Sequence, residues 1–312
     1  MTILDTPSGP VTTVGLVVHH GRPLAGELAS DIARWLVDNG HEARVLEGDA
    51  DAIAGLAPWS TRQESFAAGL DLAVSIGGDG TMLRAIRLVG AAGTPVLGVN
   101  VGHLGYLTEV EPGGWRDALV RILAGDHLVE ERMTLCVEVV RANPTTTGPA
   151  SPSDSAASCP PPTSPVVETA LNDAVVEKLE AGHTVRVGVT ISGRPAIGYA
   201  TDALIVATPT GSTAYNLSAG GPLVSPRLEA LLVTPVAPHS LFGRAMVLAR
   251  DEIVEIEVLA GSAVLGVDGR PLGPLGVGDV VRCQAGPVPA RLVTFGEREF
   301  WRILKTKFGL HG

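Results

Sequence analysis

Read from its amino end, the chain alternates short apolar runs with amphipathic stretches. TTVGLVVHH (12–20) has the continuous apolar character of a strand buried on both faces. PLAGELASDIARWLVDNG (23–40) repeats apolar positions at Leu24, Leu28, Ile32, Trp35 and Leu36, the spacing of one helix face, and closes on Gly40 as a C-cap. EARVL (42–46), DLAVSI (71–76) and TPVLGVN (94–100) read as further strands, with helices from about Thr81 and over WRDALVRILAG (115–125). Short strands alternating with helices predict an α/β fold with a parallel sheet covered on both faces.

The period changes after residue 128. MTLCVEVVR (133–141), ALNDAVVEK (170–178), TVRVGVTISG (184–193), YATDALIVAT (199–208), EIVEIEVLA (252–260) and ARLVTF (290–295) all carry strand patterns with few helices between them. The expectation is an α/β domain over 1–128 and a sheet-rich, mainly antiparallel domain over 129–296. REFWRILKTKF (298–308) reads as a helix within a closing segment, 297–312, that could fold back on the first domain. The stretch 142–165 is dominated by Pro, Ser, Thr and Ala. It buries too little apolar surface to offset its ordering entropy, so a disordered insertion between two strands is expected there.

Composition narrows the function classes. With 45% apolar and 18% charged residues the chain is globular, and a formal net charge of −10 disfavours general binding to nucleic acid or to an anionic membrane. Cys136, Cys159 and Cys283 are far apart and form no CxxC pair, which argues against a disulfide framework or a zinc site and fits a reducing cytoplasm. The beginning of the chain lacks a basic flank and a long apolar core, and the longest apolar candidate, LEALLVTPVAP (228–238), is broken by prolines, so no membrane span is expected.

Two stretches carry chemistry. In DLAVSIGGDGTMLRAIRLVG (71–90) an apolar strand exits into GGDGT and a helix follows. Ligands of open α/β sheets sit at the carboxyl ends of strands, and Asp79 lies at that edge. The glycines remove Cβ atoms, and the helix start offers N–H groups and a positive dipole suited to phosphate. A carboxylate beside a phosphate cradle suits phosphoryl transfer to a hydroxyl, with Asp79 accepting the proton. GDG alone equally fits a turn in which Asp79 caps the helix. No GxxxxGK[ST], HRD or DFG motif is present, and no GxGxxG follows the first strand. The second stretch, TPTGSTAYNLSAGGP (208–222), offers six side-chain hydroxyls, on Thr208, Thr210, Ser212, Thr213, Tyr215 and Ser218. It is either a surface loop or a cradle for a polar ligand.

GGDGT, LND (171–173) and TPTGSTAYNLSAGGP, in this order and spacing, resemble the ATP- or polyphosphate-dependent NAD kinase family over most of residues 12–296. GVNVGHLGYL (98–107) and PHSLFGRAMVL (238–248) resemble family segments too. The GGDGT module is shared with lipid kinases and phosphofructokinases, whereas the TPTGSTAY stretch is specific. The resemblance implies that Asp79 is the base for the adenosine 2′-hydroxyl of NAD and that Gly80 sits against the same substrate. It implies a phosphate contact for Arg84 and adenosine contacts for Asn172 and Asp173. Asp202 would bind the nicotinamide side, and Thr213, Ala214, Tyr215 and Ser218 would line the pocket for adenine and neighbouring groups. His183 falls where some relatives place a contact from a neighbouring subunit. Implied with these are NAD as substrate, ATP or polyphosphate as donor with Mg²⁺ or another divalent cation, no dedicated metal ligands, and a homodimer or homotetramer. Asp173 stands where the family has Glu, Ala203 where it has Gly, and Ala245 where proline is common.

The same residues have plainer readings. Arg84 fits a solvated helix position, Asn172 and Asp173 a turn, and His183, after Gly182, an exposed hairpin. Asp268 and Arg270 fit an Asp-Gly hairpin turn. Arg244 fits a phosphate or an internal carboxylate, and His19 and His20, near the same sheet edge as Asp79, are not assigned. Two rival functions remain at this stage: a lipid or sugar kinase sharing GGDGT, against which the TPTGSTAY stretch counts, and a non-catalytic dinucleotide sensor, which would not need Asp79.

Overall fold

A computed structural model of the chain describes residues 3–4, 9–102, 105–142, 166–296 and 300–309. The expected insertion at 142–165 lies outside them except for Ala142, as do His103 and Leu104 of the GHLGYL segment and the ends of the closing segment. The chain divides into two compact units. One comprises 1–133, 225–228 and 288–312, and the other 134–224 and 229–287.

The first unit is built on an eight-stranded sheet. Its order is Ile3–Leu4, Leu128–Arg132, Ala290–Thr294, Val96–Asn100, Leu72–Gly77, Thr13–Val18, Glu42–Leu46, Ser60–Thr61. From Ala290–Thr294 to Ser60–Thr61 all neighbours are parallel, and the two strands beyond Ala290–Thr294 are antiparallel. Thr13–Val18, Leu72–Gly77 and Val96–Asn100 are buried at every position, which is why their sequences are continuous apolar runs. The helix Pro23–Asp38 begins on Pro23, whose missing N–H costs nothing at a helix start, and buries Leu28, Ile32 and Leu36. The helices Asp79–Val89 and Trp115–Leu123 bury matching stripes. The sequence pattern grouped ARLVTF (290–295) with the sheet-rich region, but Ala290–Thr294 pairs with Val96–Asn100 and Leu128–Arg132 in this first sheet. A five-residue strand pattern carries no mark of which sheet will take it.

The second unit holds two six-stranded antiparallel sheets. One runs Met246–Ala249, Ala230–Val236, Ala203–Ala207, Asp173–Lys178, Ala263–Val267, Arg270–Leu275. The other runs Arg194–Thr201, Val185–Ile191, Val254–Ala260, Val280–Ala285, Leu135–Val140, Val166–Ala170. The stretch YATDALIVAT, read as one strand, is two: Arg194–Thr201 and Ala203–Ala207 belong to different sheets and meet at Asp202. Strand propensity runs through this point unbroken, but the hydrogen bonds switch there. The Thr201 hydroxyl donates to the carbonyls of Ala203 and Val236, and the Asp202 N–H to Val236. The proline-broken run LEALLVTPVAP is the strand Ala230–Val236. Pro235 lies past the end of its pairing with Met246–Ala249, where a missing N–H breaks no ladder bond. Ala203 packs in the apolar cluster with Val175, Ile205 and Leu232, so its Cβ is a core atom.

No helix among the described residues is long and apolar enough to cross a membrane. Cys136 and Cys283 are free thiols.

Candidate functional site

The first unit presents Asp79 at the carboxyl end of the Leu72–Gly77 strand. The helix begins at Asp79, two residues earlier than the pattern predicts, and no side chain caps it. Gly77 is fixed by packing, because a Cβ there would overlap the Thr81 side chain. A Cβ on Gly78 or Gly80 would meet only open space. These two glycines are therefore not required by the protein's own packing, and they leave the backbone approachable from outside.

The Asp79 carboxylate does not cap its own helix. It accepts the N–H of Tyr106 at 2.9 Å on Oδ2 and the N–H of Leu107 at 3.0 Å on Oδ1. Gly105 makes this wrap possible, since a Cβ on it would overlap Asp79 Oδ1. A carboxylate has about four lone-pair sites, so each oxygen keeps acceptor capacity beyond these bonds. Lys307, from the helix Phe300–Phe308, places Nζ 3.8 Å from Asp79 Oδ2 and 3.8 Å from the centroid of the Tyr106 ring. Burial and the Asp79 charge together push the Tyr106 phenol above its ordinary range.

Asp79 and Gly80 open onto a cavity of about 490 Å³, lined also by His19, His20, Arg22 and Arg84. Arg84 is not a solvated helix residue. It forms an ion pair with Asp49, a buried carboxylate that also accepts the Val18 N–H at 2.9 Å and contacts His20 Nε2 at 2.6 Å. Asp49, in EGDADA, belongs to none of the stretches that the apolar pattern or the motifs single out. Arg22 donates to the Val101 carbonyl. The arginines at the cavity are thus held by groups behind them. Among the described residues no group of three or more His, Cys, Asp or Glu side chains is placed to hold a metal ion.

The second unit joins LND to TPTGSTAY. In the antiparallel pairing of Asp173–Lys178 with Ala203–Ala207, Asp173 lies opposite Ala207, so the residues before one strand adjoin those after the other. The Thr208 N–H donates to the Asn172 carbonyl at 2.8 Å and the Thr208 hydroxyl to the Leu171 carbonyl at 2.5 Å. Half of the six hydroxyls that suggested a cradle hold the loop itself. Thr208 Oγ1 accepts from the Gly211 N–H, Ser212 Oγ exchanges bonds with Val224, and Thr213 Oγ1 donates to the Thr210 carbonyl. Asn216, fully buried, donates to the carbonyls of Ser212 and Pro222 and accepts from the Thr234 hydroxyl. Tyr215 and Ser218 remain exposed.

Asp173 is buried, and its carboxyl is raised from 3.8 to about 7. Desolvation is the main cause, the Asp268 charge adds to it, and the Tyr215 N–H bond opposes it. The Tyr215 phenol is pushed up by burial and by the charges of Glu177, Asp202 and Asp173, two of which, Asp202 and Asp173, are sequence-predicted site residues. Asp202 is ion-paired to Lys178 at 2.7 Å. Asp268 does sit in a hairpin turn with positive φ, but its carboxylate also accepts the N–H groups of Leu171, Asn172 and Asp173 at 2.8, 2.7 and 3.2 Å. It is the organiser of the LND turn, a role its Asp-Gly context conceals. Arg270 pairs with Glu168 at 2.7 Å. His183 and Arg244 are exposed.

A backbone-anchored acid in GGDGT at a helix start on a parallel sheet, together with a second unit of antiparallel sheets, is the arrangement of a GGDGT-type kinase. The sequence comparisons agree. Residues 14–127 match the ATP-NAD kinase N-terminal domain and residues 171–295 the ATP-NAD kinase C-terminal domain. A NAD kinase of Heliobacterium modesticaldum is 41% identical over 298 residues, covering 95% of this chain and 98% of that protein. NAD kinase 1 of Streptomyces avermitilis is 41% identical over 317 residues, covering 96% and 88%. The chain belongs to the NAD kinase family. Two solved structures share its fold. Yeast NADH kinase complexed with NADH has a TM-score of 0.84 at 23% identity, covering 98% of this chain and 89% of that one. An NAD kinase from Archaeoglobus fulgidus in complex with ATP has a TM-score of 0.67 at 23% identity, covering 96% and 99%.

Proposed function

We propose that the chain transfers a phosphoryl group from ATP or inorganic polyphosphate to the adenosine 2′-hydroxyl of NAD, giving NADP. The observation that carries this reading is the fixed Asp79 carboxylate, held by two backbone N–H groups with acceptor capacity left over, at a cavity edged by the helix start and two arginines. The 2′-oxygen bonds to the terminal phosphorus as the bond from that phosphorus to its bridging oxygen breaks. The leaving ADP, or shortened polyphosphate, takes the bond's electron pair, and the hydroxyl proton passes to Asp79. Carboxylates are weak bases, but a loose transition state asks chiefly for positioning and a late proton acceptor.

Gly80 gives the substrate access to the backbone, and Arg84 faces the donor phosphates from its anchorage on Asp49. Asn172 and Asp173 receive the adenosine, and Asp202, Thr213, Ala214, Tyr215 and Ser218 the rest of the dinucleotide, with Tyr215 as the exposed aromatic for stacking. His183 is kept as a contact made across a subunit boundary. Homo-oligomerisation is supported by the exposed Phe242 and Val247 beside the open edge strand Met246–Ala249. We take a divalent cation to arrive with the donor phosphates, with Asp79 as a protein carboxylate that can meet it. When bound it offsets phosphate charge. We place the chain in the cytoplasm, a reading supported by the absence of any CxxC pair among its three cysteines.

The test is incubation with NAD, Mg²⁺ and either ATP or polyphosphate, reading NADP with a dehydrogenase that accepts no NAD. Formation of NADP supports the reading and identifies the donor. Binding of NAD with no turnover on either donor supports the dinucleotide-sensor alternative.

A further inference from the structure

Lys307 differs from the other cations near Asp79. Arg84 is committed to the buried Asp49 carboxylate and Arg22 to a backbone carbonyl. Lys307 meets Asp79 at 3.8 Å, an ion pair too long for a good hydrogen bond, so the three N–H donors of its ammonium are not spent on that carboxylate. Its position is nonetheless specified. In the helix Phe300–Phe308 the buried side chain is Leu304, and Lys307 follows three residues later on the same face, so docking Leu304 aims Lys307 inward. The Tyr106 ring then receives the ammonium at 3.8 Å, while the Tyr106 N–H holds Asp79 Oδ2. One residue fixes both members of the pair.

An anionic donor approaching a carboxylate is opposed by like charge, and a cation at that carboxylate with donors to spare removes the opposition. We propose that Lys307 contacts the phosphoryl group in transfer, donating N–H bonds to its non-bridging oxygens while Asp79 takes the hydroxyl proton; no proton leaves Lys307 in this step. The proposal rests on the reading of Asp79 as proton acceptor. It makes the carboxyl-terminal helix part of the reaction machinery, by a basic residue outside every motif that identifies the family in this sequence.

The experiment uses the full chain with NAD, ATP and Mg²⁺ and compares Lys307→Met, Lys307→Arg and Asp79→Asn. The proposal expects Lys307→Met to lose about 10²–10³-fold in kcat/KM for ATP, with the KM for NAD and the thermal midpoint unchanged, and Lys307→Arg to recover much of the loss. Wild-type ATP kinetics in Lys307→Met overturn it. So does a loss shared equally by ATP and NAD with a lowered thermal midpoint, which marks a structural clasp, and so does a faster enzyme, which marks an inhibitory latch. Asp79→Asn separates the two levels. If it abolishes turnover while Lys307→Met is unimpaired, only the role of Lys307 fails; if it retains turnover, the reading of Asp79 fails first.

Discussion

Gly211 lies directly against the backbone of Asn172, and a Cβ at residue 211 would overlap the Asn172 carbonyl oxygen. This contact ties TPTGSTAY to LND without any side chain taking part. Backbone cannot yield as the end of a flexible side chain can, so Gly211→Ala must displace one of the two segments. We expect a cost of about 1–3 kcal/mol, the ordinary range for overpacking, and a lowered thermal midpoint. NAD affinity should fall with it, because Asn172 and Asp173 move. Isothermal titration with NAD beside thermal unfolding checks this, and a variant with both unchanged would disconnect the turn from the binding site.

How much of this was readable beforehand differs by element. The parallel strands announced themselves because burial on both faces leaves continuous apolar runs, as in Leu72–Gly77. The place of Asp79 at a strand exit was legible because an apolar run ends there in glycines on both sides of one acid. Asp202 was legible as a residue but not as a sheet crossing, since the switch lies in the hydrogen bonds of Thr201 and Val236 and not in any break of propensity. The long-range bonds of Asp49, Asp268 and Asn216 went unread for one reason. Each is a polar residue in a turn-like context whose partners are backbone groups or side chains far along the chain. Lys307 reads locally as one charge on a polar helix face, and only tertiary packing brings it to Asp79.

Asp79→Asn separates chemistry from architecture. The amide keeps one oxygen to accept from Tyr106 or Leu107 and presents an NH₂ to the other N–H, so about 1 kcal/mol of stability should be lost. Turnover should fall by about 10²–10⁴-fold, the usual contribution of a positioned general base, with NAD affinity preserved. Single-turnover kinetics and a binding titration measure both, and near-normal turnover would remove Asp79 from the base role.

Gly80→Ala tests whether the open space beside Asp79 is reserved for a ligand. A Cβ there touches no protein atom, and the position is helical. Glycine is less favourable than alanine in a helix by about 0.8–1.0 kcal/mol, so the variant should be no less stable than the parent. Its kcat/KM should nevertheless drop. Loss of activity with an unchanged or raised thermal midpoint is the expected signature, and full activity would show that nothing approaches the backbone there.

Asp173 gives the molecule a pH dependence of definite sign. Its carboxyl titrates at about 7 in the folded chain against 3.8 unpaired. Between those values the folded state holds a proton that the unfolded state has released, so stability falls as pH rises through this window and levels off above it. Asp173→Asn cannot ionise, keeps an oxygen for the Tyr215 N–H and offers an NH₂ toward the Asp268 charge. It should therefore be more stable than the parent above pH 7, by an amount on the order of a few kcal/mol, and lose that advantage as pH falls toward 4. Thermal midpoints of both proteins across this range give the comparison. A constant difference at every pH would mean that the Asp173 carboxyl carries its proton equally in the folded and unfolded chain, and that burial beside Asp268 leaves its titration unaltered.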